Sequence, residues 1–346
     1  MLRAVCILVL ACVSLAAETP GPCDGGMALY RRGDLVNAQN SLWACLESGL
    51  GGGTHAVYLA QTYRELKNYE SGLTRSNAAR RDRPDSVDLL YLAAYLHYRR
   101  NETKESMILV SKAYRLAPND WRIHQLFALN YISFDMLEAA KLSLLKAIEL
   151  NPTNAELRYQ LARLYFTVGS YVDSIEASKQ ALAIFPDYPE AHHNLALAYE
   201  GSGNTALAVR SFEKAIDLNR KYRRRDEWPL IDFAVYQRML GSPAASLPLL
   251  QEALAINPKS AKANYEMGEL LRDLKRYREA KQHLELAVSL DPCNARAFYA
   301  LAMVARRLGD SENAARVLQR FKEVDAQSNN SVGTQGPCEA SAARPE

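Results

Sequence analysis

The sequence predicts an all-α chain, a solenoid of helix-turn-helix repeats, and three observations predict it. Six of its fourteen prolines (Pro84, Pro118, Pro152, Pro186, Pro258 and Pro292) keep a 34-residue spacing, which slips once, by four residues, between Pro186 and Pro258. Small residues recur at fixed offsets between the prolines, and glycine recurs at mid-period. Self-similarity at such a period marks units that cannot bury their apolar faces alone and so stack into a shared core.

With each proline set at position 32, repeats begin near residues 19, 53, 87, 121, 155, 189, 227, 261 and 295. Position 8 is small in every copy, from Gly26, Ala60 and Ala94 to Gly268 and Ala302. Position 20 is small as well (Ala38, Gly72, Ser106, Ala140, Ser174, Ala208, Ser246, Ala280, Ala314). Position 27 reads Cys45 and then alanine through Ala287, with Phe321 in the last copy alone. Small side chains at helical offsets let two helices approach closely. Gly33, Gly169, Gly203, Gly241 and Gly309 at position 15 turn the chain, and the proline stops the second helix.

These columns resemble the tetratricopeptide repeat family, over nine copies spanning residues 19–328. The resemblance implies a right-handed superhelix whose concave groove is lined by the first helix of each repeat, mainly through positions 2, 5, 9, 12 and 13.

The period slips at LNRKYRRRDEWP, where Arg220 replaces the proline and four residues, 223–226, are inserted. Four residues make about one helical turn, so the second helix of this repeat is expected to run on by a turn. Trp228-Pro229 then opens the next helix. The cations Arg220, Lys221, Arg223, Arg224 and Arg225 read either as a solvated helix end that complements the dipole or as a basic docking patch. Pro248, inside a second helix, is expected to kink it.

Outside the array, residues 1–17 have the layout of a secretory signal peptide: Arg3, an apolar run from Ala4 to Leu15, then small residues. The expected location is exported, periplasmic or extracellular. Membrane attachment enters only through this signal or, less simply, through a lipid anchor at Cys12. Export leaves Cys23, Cys45, Cys293 and Cys338, an even number suited to disulfides. Cys23 and Cys45 fall at one level of the first hairpin, and Cys338 can fold back to Cys293, so the expected bridges are Cys23–Cys45 and Cys293–Cys338; free or buried thiols are the alternative. Residues 329–346 read as a flexible polar tail.

Nothing in the sequence carries catalysis. The six histidines all fall in the array, and His192 and His193, being adjacent, point about 100° apart, with no partner at i+4 to complete a helical zinc pair. No cofactor, metal or catalytic residue is expected, and a net charge of +3 gives no field that calls for nucleic acid.

A binding surface remains. At the positions that the resemblance turns toward the groove lie Arg238, Arg272 and Arg306 (position 12) and Tyr91, Tyr159, His193, Tyr265 and Tyr299 (position 5). Guanidinium groups beside aromatic faces suit an extended acidic peptide. Two alternatives stand: the arginines are paired with nearby acids such as Glu266 and Glu269, or the tyrosines stack on a carbohydrate or cell-wall polymer. The two-lysine, two-asparagine clamp of family members that grip C-terminal carboxylates is not reproduced. The expected function is an exported non-enzymatic scaffold with a protein or peptide partner.

Overall fold

A computed structural model describes residues 23–330. Among them are eighteen α-helices and no strands. They fall into two compact units that divide between Thr153 and Asn154. The first holds α1 (Asp24–Arg31), α2 (Leu35–Ser48), α3 (Gly53–Leu66), α4 (Tyr69–Asp82), α5 (Val87–Arg99), α6 (Thr103–Leu116), α7 (Trp121–Ser133) and α8 (Leu137–Leu150). The second holds α9 (Ala155–Thr167), α10 (Tyr171–Ile184), α11 (Pro189–Gly201), α12 (Thr205–Lys221), α13 (Trp228–Met239), α14 (Pro243–Ile256), α15 (Ala261–Asp273), α16 (Tyr277–Leu290), α17 (Ala295–Arg307) and α18 (Ser311–Asn330). Odd-numbered helices open a repeat and even-numbered helices return. Every returning helix begins at position 17 of its repeat.

The small columns set this spacing. Ala94, Ala128, Ala162 and Ala196 at position 8 and Ala140, Ala208 and Ala280 at position 20 are fully buried. At Gly268 an added Cβ would lie 2.5 Å from Leu284 Cγ, so this crossing of α15 and α16 admits no side chain. At two of the three serines of position 20 the hydroxyl donates to the position-8 carbonyl of the same hairpin, Ser174 to Ala162 at 2.8 Å and Ser246 to Ala234 at 2.7 Å, while the Ser106 hydroxyl accepts from Asn130 Nδ2 at 2.9 Å. At the end of the returning helix, the N–H of residue 31 bonds to the position-27 alanine carbonyl at 2.9 Å in five repeats, beginning with Ala117 to Ala113.

Every hairpin turns through a left-handed residue at position 15. Five are the expected glycines; Lys67, Asn101, Asp135 and Lys275 take the same conformation at φ 52–60° without glycine's freedom.

Several sequence expectations are adjusted. The first helix begins at Asp24, inside its repeat. The helix before the insertion does lengthen, to the 17 residues of α12 against 14 in its neighbours. α14 runs unbroken across Pro248. The polar sequence after Asp325 stays helical to Asn330, past the expected end of the array at 328. The signal peptide, Cys12, Cys338 and the tail beyond Asn330 lie outside the described residues, and so does the Cys293–Cys338 pairing. The structure pairs Cys23 with Cys45, Cα atoms 5.4 Å apart across 22 residues. On a chain-entropy account such a bridge contributes about 3 kcal/mol.

In the first unit a buried ion cluster joins two repeats. The Arg122 side chain is 8% exposed and pairs with Asp88 at 2.6 Å, while its Nε lies 3.0 Å from Asp120 Oδ1. Its guanidinium stands 5.2 Å from the centre of the Tyr91 ring and packs on Gly53. Removing one partner of a buried pair strands the others. Arg122→Ala is therefore expected to cost about 3 kcal/mol in urea unfolding, and Lys112→Ala, which breaks an exposed pair with Asp85, less than about 1 kcal/mol. Equal midpoints for the two variants would contradict the cluster's role.

Position 4 carries a second device. His124 and His192 each donate Nε2–H to the proline carbonyl six residues back (Pro118 at 2.8 Å, Pro186 at 2.9 Å), and Asn264 Nδ2 does the same to Pro258 at 3.1 Å. Burial holds His192 below the ordinary histidine range, and it does the same to His283. The unfolded chain therefore binds more protons as pH falls through the ordinary value of about 6.5, so stability declines with falling pH there. His192→Asn keeps the bond, as Asn264 shows, and removes the titration. It is expected to flatten the fall in urea midpoint between about pH 7.5 and 5.5; an unchanged slope would exclude this ring as its source.

Candidate binding face

In the second unit the first helices α11, α13, α15 and α17 carry the residues singled out in the sequence. His193 on α11 is not an open ligand: its Nε2 lies 3.0 Å from Asp232 Oδ2 on α13, and both side chains are largely buried. Its ring lies 6.0 Å from that of Phe212. All six histidines have such a partner, with His55 accepting from Gly52 N–H, His97 facing Glu102 and His283 facing Asn264. Among the described residues, no three His, Cys, Asp or Glu side chains gather to hold a metal.

Arg238 on α13 is the centre of an ion network. It reaches Glu266 at 3.0 Å, Asp273 at 3.2 Å and Glu269 at 3.9 Å, all on α15. Arg272 pairs with Glu269 at 2.7 Å and Asp273 at 3.4 Å, and Lys262 with Glu266 at 2.8 Å. Glu266 and Glu269 are 4% and 8% exposed, so these are buried carboxylates that must be compensated. Burial raises the Glu269 carboxyl, although Arg272 and Arg238 pull the other way. Burial, helped by Glu269 and Glu266, also pushes the Tyr265 phenol up to about 12. Two of the three candidate arginines are thus already spent on acids, which is the pairing alternative read from Glu266 and Glu269.

The tyrosine column is mostly closed. Tyr91 is 3% exposed, and Tyr159 is packed against Tyr188 at 5.2 Å, with burial raising both phenols of that pair. Tyr188 donates its hydroxyl to Glu156. Tyr265 is half-buried beneath Lys262. Only Tyr299, 47% exposed, offers a ring face of any size, and Phe321 of α18 supports it at 5.5 Å.

α17 differs from the helices before it. Its groove positions are Arg296, Tyr299, Met303, Arg306 and Arg307. The three arginines are exposed and have no acidic partner among the described residues. Sequence reading named Arg306 and Tyr299 but passed over Arg296, at position 2 of the same stripe.

The basic cluster at the insertion is also mostly engaged. Arg220 grips Glu252 through two bonds of 2.9 and 2.6 Å, Lys221 reaches Asp187 at 2.7 Å, and Arg225 donates to the Ile256 carbonyl at 3.2 Å. Arg224 pairs with Glu190. They bridge neighbouring repeats while staying exposed at the end of α12, where Arg220 and Lys221 lie in its last turn. Arg223 alone has no side-chain partner among the described residues.

Family models described as tetratricopeptide repeat match residues 59–120, 122–154, 153–221, 238–304 and 296–328. Among curated proteins, the chain is 24% identical over 178 residues to the BBSome complex member bbs-4 of Caenorhabditis elegans, covering 51% of this chain and 38% of that protein. It is 21% identical over 298 residues to the TPR repeat-containing protein YpiA of Bacillus subtilis, 75% of this chain and 69% of that one. The chain spans less than two fifths of the worm protein, so that likeness concerns the repeats. Of solved structures, the Cut9-Hcn1 assembly of the APC/C aligns with a TM-score of 0.63 at 17% identity, over 86% of this chain and 57% of that one. A tetratricopeptide repeat protein from Parabacteroides merdae aligns at 0.53 and 17%, over 81% and 96%. At such identity the structural likeness is one of fold. With helical hairpins in one phase and family models matching along most of their length, the chain belongs to the tetratricopeptide repeat family, whose members are generally non-enzymatic scaffolds for protein interaction.

Proposed function

We propose that this protein is an exported scaffold that holds an extended acidic segment of a partner protein along its last repeats. One observation carries the reading. On α17 the stripe Arg296, Tyr299, Arg306 and Arg307 is exposed and uncompensated, whereas the arginines of α13 and α15 are neutralised by Glu266, Glu269 and Asp273. Free guanidinium groups pair bidentately with carboxylates, and the Tyr299 ring adds apolar contact. A carbohydrate platform needs several open rings, and this column presents one.

Panning a displayed peptide library on the wild-type protein is expected to enrich acidic sequences with an apolar or aromatic residue. Arg296→Glu with Arg306→Glu should abolish that enrichment. Arg272→Glu, by contrast, adds a charge beside Glu269 and should act on stability before selection. Selected peptides should weaken steeply with salt. Enrichment of neutral or basic sequences would refute the acidic-segment reading.

Export rests on the leader-like residues 1–17 and on the cysteine pair in the first hairpin. Expressed in a bacterium with two membranes, the protein should appear in the periplasmic fraction starting at Glu18, with Cys23 and Cys45 blocked to thiol reagents until reduced. An uncleaved protein confined to the cytoplasm would end this part of the proposal.

A further inference from the structure

The hairpin turns of the sixth and seventh repeats break the charge pattern of the others. The turn of the third repeat carries Arg99, Arg100, Glu102 and Lys104, and that of the eighth carries Asp273, Lys275, Arg276, Arg278 and Glu279. No charged residue occurs from Gly201 to Val209 or from Met239 to Gln251. The returning helices show the same departure. α4, α6, α8, α10, α16 and α18 each place an acid in the first turn, and α2 has Asp34 as a cap whose side chain accepts from Asn37 N–H. α12 and α14 have neither an acid there nor a side-chain cap. Both forgo the stabilisation that such groups supply at a helix N-terminus.

Large apolar side chains stand where the other turns carry charge. Met239 is 70% exposed, and Leu207 and Leu240 are exposed with it. Val172, 77% exposed, and Val168 extend this surface onto the turn of the fifth repeat, which is uncharged from Leu164 to Val172. These turns are neighbours. Position 17 of one repeat packs on position 13 of the next: an added Cβ at Gly201 would lie 2.6 Å from Tyr171 Cε1, and the Arg99 guanidinium stands 6.0 Å from the centre of the Tyr69 ring. The same offset sets Thr205 of the sixth turn beside Met239 of the seventh. One apolar edge therefore runs over three successive turns of the second unit.

Five such side chains present on the order of 500 Å² of apolar surface, near the upper end of the largest patch on a monomer. A stable interface takes about 800 Å² from each partner, of which about three fifths is apolar, so the edge matches one side of such a contact. Its lack of charge selects the partner. A two-fold contact sets a surface against its own copy, so a charge in it is compensated only where the same surface also carries the opposite charge. An edge without charges carries no such condition. We propose that the turns of the fifth to seventh repeats join two copies of this chain in a two-fold dimer, with Leu207, Met239 and Leu240 at the centre and Val168 and Val172 at the margin. Asp173, exposed next to Val172, marks where the margin becomes polar. The edge uses no residue of the α17 stripe, so the dimer does not depend on the acidic-segment reading.

Sedimentation velocity of the full mature chain over about 1 to 100 μM tests the assignment. The average mass should rise from monomer toward dimer across that range, since interfaces of this size begin at micromolar affinity. Met239→Asp and Leu207→Asp should each raise the dissociation constant by about tenfold or more, because the dimer would then bury an unpaired carboxylate. Both residues are exposed in the single chain, so the urea midpoint at low concentration should stay at the wild-type value, which separates a contact role from a structural one. Ile108→Asp changes a comparably exposed apolar residue on α6 of the first unit and should leave the dimer intact. Flotation with phosphatidylcholine vesicles examines the other occupant, a lipid surface. A chain that stays monomeric at the highest concentration, whether or not it floats with the vesicles, overturns the proposal. So does a dimer that survives both substitutions together, or one lost equally on Ile108→Asp. A trimer or an open polymer would refute the two-fold contact.

Discussion

Everything in this fold depends on how closely the two helices of each hairpin can approach. The approach is set by atoms that are missing from side chains. At Gly268 the space for a Cβ is already taken by Leu284, and Ala140, Ala208 and Ala280 are sealed in the same crossing elsewhere. Interiors packed at this density do not absorb an added methyl without moving a neighbour. Once the spacing is set, Ser174 and Ser246 at position 20 reach the position-8 carbonyls and the returning helices end against the position-27 alanines. The polar groups follow from the apolar geometry.

The frame was legible because it is written in residue types that have few other reasons to recur. Prolines and alanines at a constant interval specify hairpin ends and crossings: from the second repeat onward each first helix opens at, or one residue after, the first position of its repeat, while α1 opens at Asp24, five residues in. The turns were only partly legible. Lys67, Asn101, Asp135 and Lys275 carry no local mark of a left-handed backbone, and only their phase identifies them. The lengthened α12 was legible from a lost proline and one extra turn of sequence.

The binding face was harder to read because its meaning lies in partners far along the chain. Arg238 is matched with Glu266 and Asp273, 28 and 35 residues away, and His193 with Asp232, 39 away. Taken alone, three arginines at one repeat position look like a row of free charges. With the period included, Arg238 at position 12 falls opposite the acids at positions 6 and 13 of the next repeat, whereas Arg272 at the same position meets acids of its own helix.

The network around Arg238 bears on how such a chain can change over time. Repeats invite the thought of interchangeable modules, to be copied, deleted or shuffled. Here the seventh and eighth are complementary halves. Deleting the seventh repeat would take Arg238 from Glu266, leave it Lys262 of its own helix alone, and bring Glu200, the position-12 residue of the sixth repeat, to the place of the arginine. Along this stretch the unit of inheritance is the pair.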